Sequence, residues 1–159
     1  MKKEELVEKL AGALRSAHAA ADRLARDTAE AANHPEAKPD SDKDTRKIEL
    51  SYLAAGQAAR ASELETAIAL LSSLQLRPFA EDEAVALGAL VSLDVGGKKQ
   101  RVFLCPAGGG EKLAADGGEV SVVTPQSPLG GGLLGKGVGE TFELRVAGQI
   151  REVEILALE

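Results

Sequence analysis

Along the first 76 residues, apolar positions recur with the period of a helix. Leu6, Leu10, Ala13, Ala17, Ala20 and Leu24 are spaced alternately by four and three, the seam of a helix packed on a long partner. Leu50, Leu53, Gln57, Arg60, Leu64, Ala67, Leu71 and Leu74 repeat the pattern. Set antiparallel, the stripes bring Leu24 to Leu53, Ala13 to Leu64, Leu10 to Ala67 and Leu6 to Leu71. Every pair of residue numbers shares one sum, 77, so a single register serves both stripes. Its midpoint falls between Lys38 and Pro39, in a stretch where His34-Pro35 and Lys38-Pro39 oppose helical geometry. The pattern predicts an antiparallel helical hairpin over residues 1–76 with its tip near 34–44. At ~1.5 Å rise per residue, arms of about 33 residues put the tip roughly 45–50 Å from the base. Where Gln57 and Arg60 meet Ala17 and Ala20, a polar layer that sets the register is expected, with Asp22 or His18 close by. A buried structural role is the ordinary reading of His18.

The pattern changes near Leu76. Gly12 and Gly56 are the only glycines before it, and the rest of the chain's 17 come after. Arg77-Pro78-Phe79-Ala80 interrupts the helix, so residues 77–82 read as a linker and 83–159 as a second domain. Short β-prone runs then alternate with turn residues: Leu90–Val95, Gln100–Cys105, Glu119–Thr124, Thr141–Val146 and Ile150–Leu158. Gly108–Gly110 reads as a flexible hairpin connection. Pro128–Leu134 has room for one short helix, with Pro128 suited to its first turn. A helical hairpin followed by a mostly antiparallel sheet with one short helix is an α+β fold.

Composition narrows the function. The chain has 159 residues, enough for one ordinary or two small domains, and its only aromatics are Tyr52, Phe79, Phe103 and Phe142. A net charge of −6 argues against gripping nucleic acid through the protein's own surface, since that requires neutralising several phosphates. The single cysteine, Cys105, excludes an intrachain disulfide and a Cys-rich zinc site. The longest uncharged apolar stretches fall short of the ~20 residues of a membrane helix. The opening MKKEELVEKL mixes glutamates with its lysines, unlike a signal peptide. A soluble, unexported, cytoplasmic monomer is expected.

Three patterns invite a chemical reading. Glu36, Asp40, Asp42 and Asp44 crowd into nine residues at the expected tip, offset only by Lys38 and Lys43. Ser41-x-x-Asp44 resembles a capping box, and acids near a helix N-terminus oppose its dipole, which accounts for Asp42 and Asp44. It leaves Glu36 and Asp40 without a reason. Magnesium is often held by one or two protein carboxylates, so acids at the end of a stalk are suited to complete a metal site on another molecule. GGGLLGKG, from Gly130 to Gly137, nearly matches a phosphate-binding loop, but Gly137 stands in the Ser/Thr position and a strand, not a helix, follows. The only histidines, His18 and His34, lie far in sequence from Cys105, so no nucleophile and base pair is in view.

The string VVTPQSPLGGGLLGKGVGETFEL resembles the C-terminal domain of the Gre transcript cleavage factors, which carry a Ser-Pro-[Ile/Leu]-Gly-x-x-Leu-[Ile/Leu]-Gly-Lys segment before a Val-Gly-[Asp/Glu] turn. Here those positions are Ser127, Pro128, Leu129, Gly130, Leu133, Leu134, Gly135, Lys136, Val138, Gly139 and Glu140. The order of parts, hairpin then small domain, agrees over essentially the whole chain. The resemblance implies an FKBP-like C-terminal domain that docks on bacterial RNA polymerase, with Ser127, Pro128, Leu129 and Gly130 at the contact. It implies a hairpin that enters the polymerase secondary channel. Its tip carboxylates would help hold a Mg2+ ion of the polymerase active site while backtracked RNA is hydrolysed, the RNA being contacted only within that complex. Asp40 and Asp44 are the candidate metal-proximal residues, with Glu36 and Asp42 next. The factor is then no enzyme alone and carries no cofactor when free.

The tip departs from the family's Asp-Leu-Lys-Glu-Asn-[Ala/Ser]-Glu-Tyr stretch and reads HPEAKPDSDKDTRKIELSYLA instead, with Arg46 positioned to meet phosphate or a neighbouring carboxylate. A regulator that occupies the channel without promoting cleavage therefore stands beside the cleavage factor. Two other classes are a peptidyl-prolyl isomerase, for which the C-half has few aromatics, and a coiled-coil adaptor whose acids serve solubility.

Overall fold

The computed structural model describes residues 3–33 and 41–159. The fold is α+β: two long helices, then a six-stranded, mostly antiparallel sheet with one short helix. Helix α1 spans Lys3–Ala32 and α2 spans Ser41–Ser72. The expected midpoint at Lys38/Pro39 lies outside the described residues, inside the interval the two helices bracket. By its contacts the chain divides into two compact units. One joins Met1–Ala11 to Ala69–Glu159, and the other is Gly12–Ile68.

Within Gly12–Ile68 the seam is built from small side chains. Leu14, Ala21, Ala32, Ala61 and Leu64 are buried there. Leu24 and Leu53, expected to face each other, are instead 49% and 59% exposed. Arg60, expected in a polar layer, is exposed and pairs with Glu63 at 3.6 Å, while Ala61 takes the inward position. His18 is only half-buried, its Nε2 3.8 Å from Glu65 Oε1. Two causes account for these shifts. Among the described residues no polar or charged side chain is buried, because a charge withdrawn from water needs a partner and Arg60 finds its own in solvent. On α1, Leu10, Ala21 and Ala32 recur every eleven residues, nearer the natural helical period than a strict heptad, so the inward stripe drifts away from Ala13, Ala20 and Leu24.

The other unit holds strands β1 Leu90–Val95, β2 Lys98–Leu104, β3 Lys112–Ala115, β4 Gly118–Val123, β5 Thr141–Val146 and β6 Gln149–Leu158, with α3 at Pro128–Leu133. Their order across the sheet is β3-β4-β2-β1-β6-β5, and only β2 and β4 are parallel. Strand β3 was not expected. Asp116-Gly117, a strong hairpin signal, turns β3 into β4 and pairs Leu113 with Val120. Two glycines at positive φ, Gly96 (57°) and Gly97 (89°), make the tight β1–β2 turn, and Gly97 N–H donates to Asp94 Oδ1 at 2.8 Å.

One face of the sheet buries Val91, Leu93, Val102, Leu104, Val153 and Ile155 against Leu133 of α3, with Phe79 and Val85 from the segment before β1. Alternation turns Phe103 and Val122 to the other face, where both are buried. The first turns of α1 belong to this unit. Leu6 and Leu10 are fully buried, and Lys9 Nζ donates to the Ala114 carbonyl at 2.6 Å. A Cβ on Gly108 would stand 2.8 Å from Leu10 Cδ1, so the stretch read as a flexible connection is a close packing contact.

Residues 77–83 also pack into this unit. The Phe79 ring is buried beneath the Arg77 guanidinium, 3.9 Å from its centroid, and Lys3 Nζ, 4.8 Å away. Lys3 Nζ also donates to the carbonyls of Arg77, Gly88 (3.0 Å) and Glu159 (3.2 Å). Burial, then repulsion from Arg77, lowers the Lys3 pKa.

Candidate functional site

The Ser127–Glu140 segment is organised by short-range hydrogen bonds. Ser127 is the N-cap of α3: its hydroxyl accepts from Gly130 N–H at 3.0 Å and donates to the Thr124 carbonyl at 2.8 Å. Pro128 takes the first helical turn, where its missing N–H costs nothing. A Cβ on Gly130 would stand 1.9 Å from the Thr124 carbonyl oxygen, and one on Gly132 would stand 2.3 Å from the Phe142 ring. These glycines serve close packing. Leu129 packs against the core and Pro128 is exposed.

The rest of the segment is tied down on two sides. Gly135 N–H donates to the Val85 carbonyl at 2.9 Å and Val85 N–H to that of Lys136 at 2.7 Å. Gly139 N–H donates to the Ile155 carbonyl at 2.8 Å, and Glu140 accepts from Gly137 N–H. Lys136 Nζ lies 5.8 Å from the Phe142 ring centroid. In a phosphate loop the lysine would open a helix; here α3 has already ended and β5 follows, which removes the nucleotide-binding reading. Cys105 is buried, which pushes its thiol up to about 12, so it is neutral and unreactive at physiological pH.

The four tip acids are placed unevenly. Glu36 and Asp40 lie outside the described residues, as does His34. Asp42 and Asp44 belong to the first turn of α2, and Arg46, just beyond, is exposed. Among the described residues no group of three His, Cys, Asp or Glu is placed to hold a metal. The four acids would offer carboxylates, oxygen donors of the kind Mg2+ takes.

Two features went unnoticed in the sequence. Ile48 and Tyr52, 56% and 76% exposed, line the solvent side of α2 with Ser51 and Ala55, and their i, i+4 spacing was legible. The second is a cleft of about 310 Å³ at one end of the sheet, with Lys98 and Arg151 among its lining residues. Its members lie on four strands and had no common signal in the chain. No helix among the described residues is long and apolar enough to cross a membrane.

Comparison with known proteins follows the fold. Residues 80–159 match the family model described as transcription elongation factor, GreA/GreB, C-terminal. Among solved structures, the chain is similar to the transcription factor Gfh1 (22% identity, 96% of this chain and 92% of that one, TM-score 0.41). It is also similar to GreA factor homolog 1 of Thermus thermophilus (21%, 96% and 94%, 0.38) and to Gfh1 of Thermus aquaticus (18%, 95% and 92%, 0.38). No curated protein matches it.

Proposed function

The chain belongs to the GreA/GreB family of transcription elongation factors, and from that membership we propose that it binds bacterial RNA polymerase through residues 80–159 and presents its acidic tip in the secondary channel. The family match over the C-terminal domain is the observation that carries this reading. In sequence, Glu36 and Asp40 lie between the two long helices and Asp42 and Asp44 in the first turn of the second, which supports the role of the hairpin. Pro128 and Leu129 meet the polymerase, while Ser127 and Gly130 hold the turn that displays them. Asp40 and Asp44, seconded by Glu36 and Asp42, lend carboxylate oxygens to a Mg2+ site that the polymerase completes. When bound, that ion supplies Lewis acidity for phosphodiester hydrolysis. The tip acids orient the nucleophilic water and add negative charge where the cation sits. The protein acts in the cytoplasm as a monomer, touches RNA only within the complex, and has no hydrolytic activity of its own.

The test adds the purified protein to backtracked elongation complexes carrying labelled RNA. Shortening of the RNA 3′ end is expected, with Asp40→Asn and Asp44→Asn abolishing it while polymerase binding is kept. A second reading rests on the tip's departure from the family's Asp-Leu-Lys-Glu-Asn stretch: the same docking, without cleavage, slows synthesis by occupying the channel. Slowed synthesis with intact RNA ends would replace the first reading by the second.

A further inference from the structure

The sheet face that carries α3 stands open at its far end. Cross-strand pairing places six side chains together there: Val95 opposite Lys98, Leu144 opposite Arg151 and Val146 opposite Gln149. They line the 310 Å³ cleft, with Val95, Leu144 and Val146 as its apolar part and Lys98, Gln149 and Arg151 as its polar part. Val146 remains 52% exposed, so the cleft is a trough open to solvent.

Its lining is basic within an acidic chain. The chain carries a net charge of −6, yet no carboxylate lines the cleft. Among the described residues neither Lys98 nor Arg151 has a carboxylate partner, as is also true of Arg15, Arg23 and Lys99, so both charges face the cleft without an acid. Arg151 is nonetheless positioned. Its Nη2 donates to Gln149 Oε1 at 3.0 Å, and a Cβ on Gly96 would stand 3.7 Å from its Cδ, so its stem runs over the β1–β2 turn. A guanidinium held by one neutral acceptor keeps further donors for an incoming carboxylate, with the Lys98 ammonium on β2, on the far side of β1.

We propose that this cleft docks an acidic, apolar segment of a protein partner. A carboxylate of the segment bonds Arg151 and Lys98, and an adjacent apolar side chain rests on Val95, Leu144 and Val146. Charge complementarity selects the acidic partner, and the open trough suits a chain laid across it better than an enclosed small molecule. The inference rests on the family reading above in taking that partner to be RNA polymerase, and it adds a contact separate from the Ser127–Gly130 turn.

Binding of the purified full chain to purified bacterial RNA polymerase, followed by biolayer interferometry over a salt series, tests it. Arg151→Glu and Lys98→Glu each weaken binding about tenfold, the scale of a lost charged contact, and flatten its salt dependence. Lys99→Glu makes the same change of charge on the opposite face of β2 and leaves affinity within about twofold, since contacts away from the interface centre carry little energy. Unchanged far-UV circular dichroism shows that all three variants fold. If the wild type binds but Arg151→Glu and Lys98→Glu bind as tightly as Lys99→Glu, the docking site is wrong and the polymerase reading stands. If the wild type does not bind, the polymerase reading falls and this docking falls with it. Self-association in sedimentation that Arg151→Glu abolishes would put a second copy in the cleft and overturn the proposal.

Discussion

Residues 12–68 and the sheet unit reach stability by opposite means. In the helical unit the contact runs along one stripe of mostly small side chains, Ala21, Ala32 and Ala61 among them, with Leu14 and Leu64 as its large members. In the sheet unit bulky side chains such as Phe103, Leu104 and Ile155 are fully enclosed, and glycines stand where no Cβ fits. A stripe tolerates drift, because a helix can turn by a fraction of a residue and still pack. The glycine contacts around α3 tolerate none, since a rigid carbonyl and a ring occupy the space a side chain would need.

The largest effect that would break this contrast is expected at Gly130. Gly130→Ala drives a methyl group onto the Thr124 carbonyl and should cost about 3 kcal/mol or more, seen as a lowered urea midpoint. A near-neutral result would mean that the Thr124–Gly130 turn yields as readily as the helical seam. A smaller effect separates the two sides of the hairpin. Leu64→Ala empties a buried seam position and should cost about 2–3 kcal/mol, while Leu53→Ala, on an exposed position, should cost less than about 0.5. Equal losses would restore the strict heptad register.

The smallest effect concerns Glu83, at the entry to the sheet unit. The hydrogen bond from Ala80 N–H at 2.6 Å, then that from Arg77 at 2.9 Å, holds its carboxyl below the usual carboxylate range. Because the folded pKa is depressed, the stabilisation is complete above the ordinary glutamate pKa and is lost as pH falls through the folded value. Glu83→Gln should therefore be less stable than the wild type at neutral pH, with the gap closing below about pH 4, the ordinary glutamate range. A gap that stays constant with pH in thermal melts would assign the effect to packing.

Much of the fold was legible because its signals are local. The bounds of β1 and β5 and the start of α3 at Pro128 follow from alternation and turn chemistry. Strand β3 escaped because four residues with one buried leucine carry little pattern, although Asp116-Gly117 marked its hairpin. Leu24 and Leu53 misled because leucine outranks alanine on any scale of apolar character, whereas close-packed helices favour the smaller residue when it lies nearer the axis between them. At the candidate site, the acids of the tip and the Ser127–Gly135 motif were both visible. The structural share of Ser127, Gly130 and Gly132 was not, since it depends on where Thr124 and Phe142 stand.

By itself, then, the sequence determined two long helices on either side of an expected tip near residues 34–44, a glycine-rich sheet after Leu76, and membership signals concentrated in SPLGGGLLGKG. Periodicity, turn residues and short motifs are properties of neighbouring positions, so they survive in one dimension. Only the tertiary structure decided which leucines of the hairpin face inward, why Gly130 and Gly132 have no side chain, and that Lys98 and Arg151 line one cleft without an acid. Those are distances between segments far apart in the chain, set by strand register and helix rotation, and no local pattern encodes them.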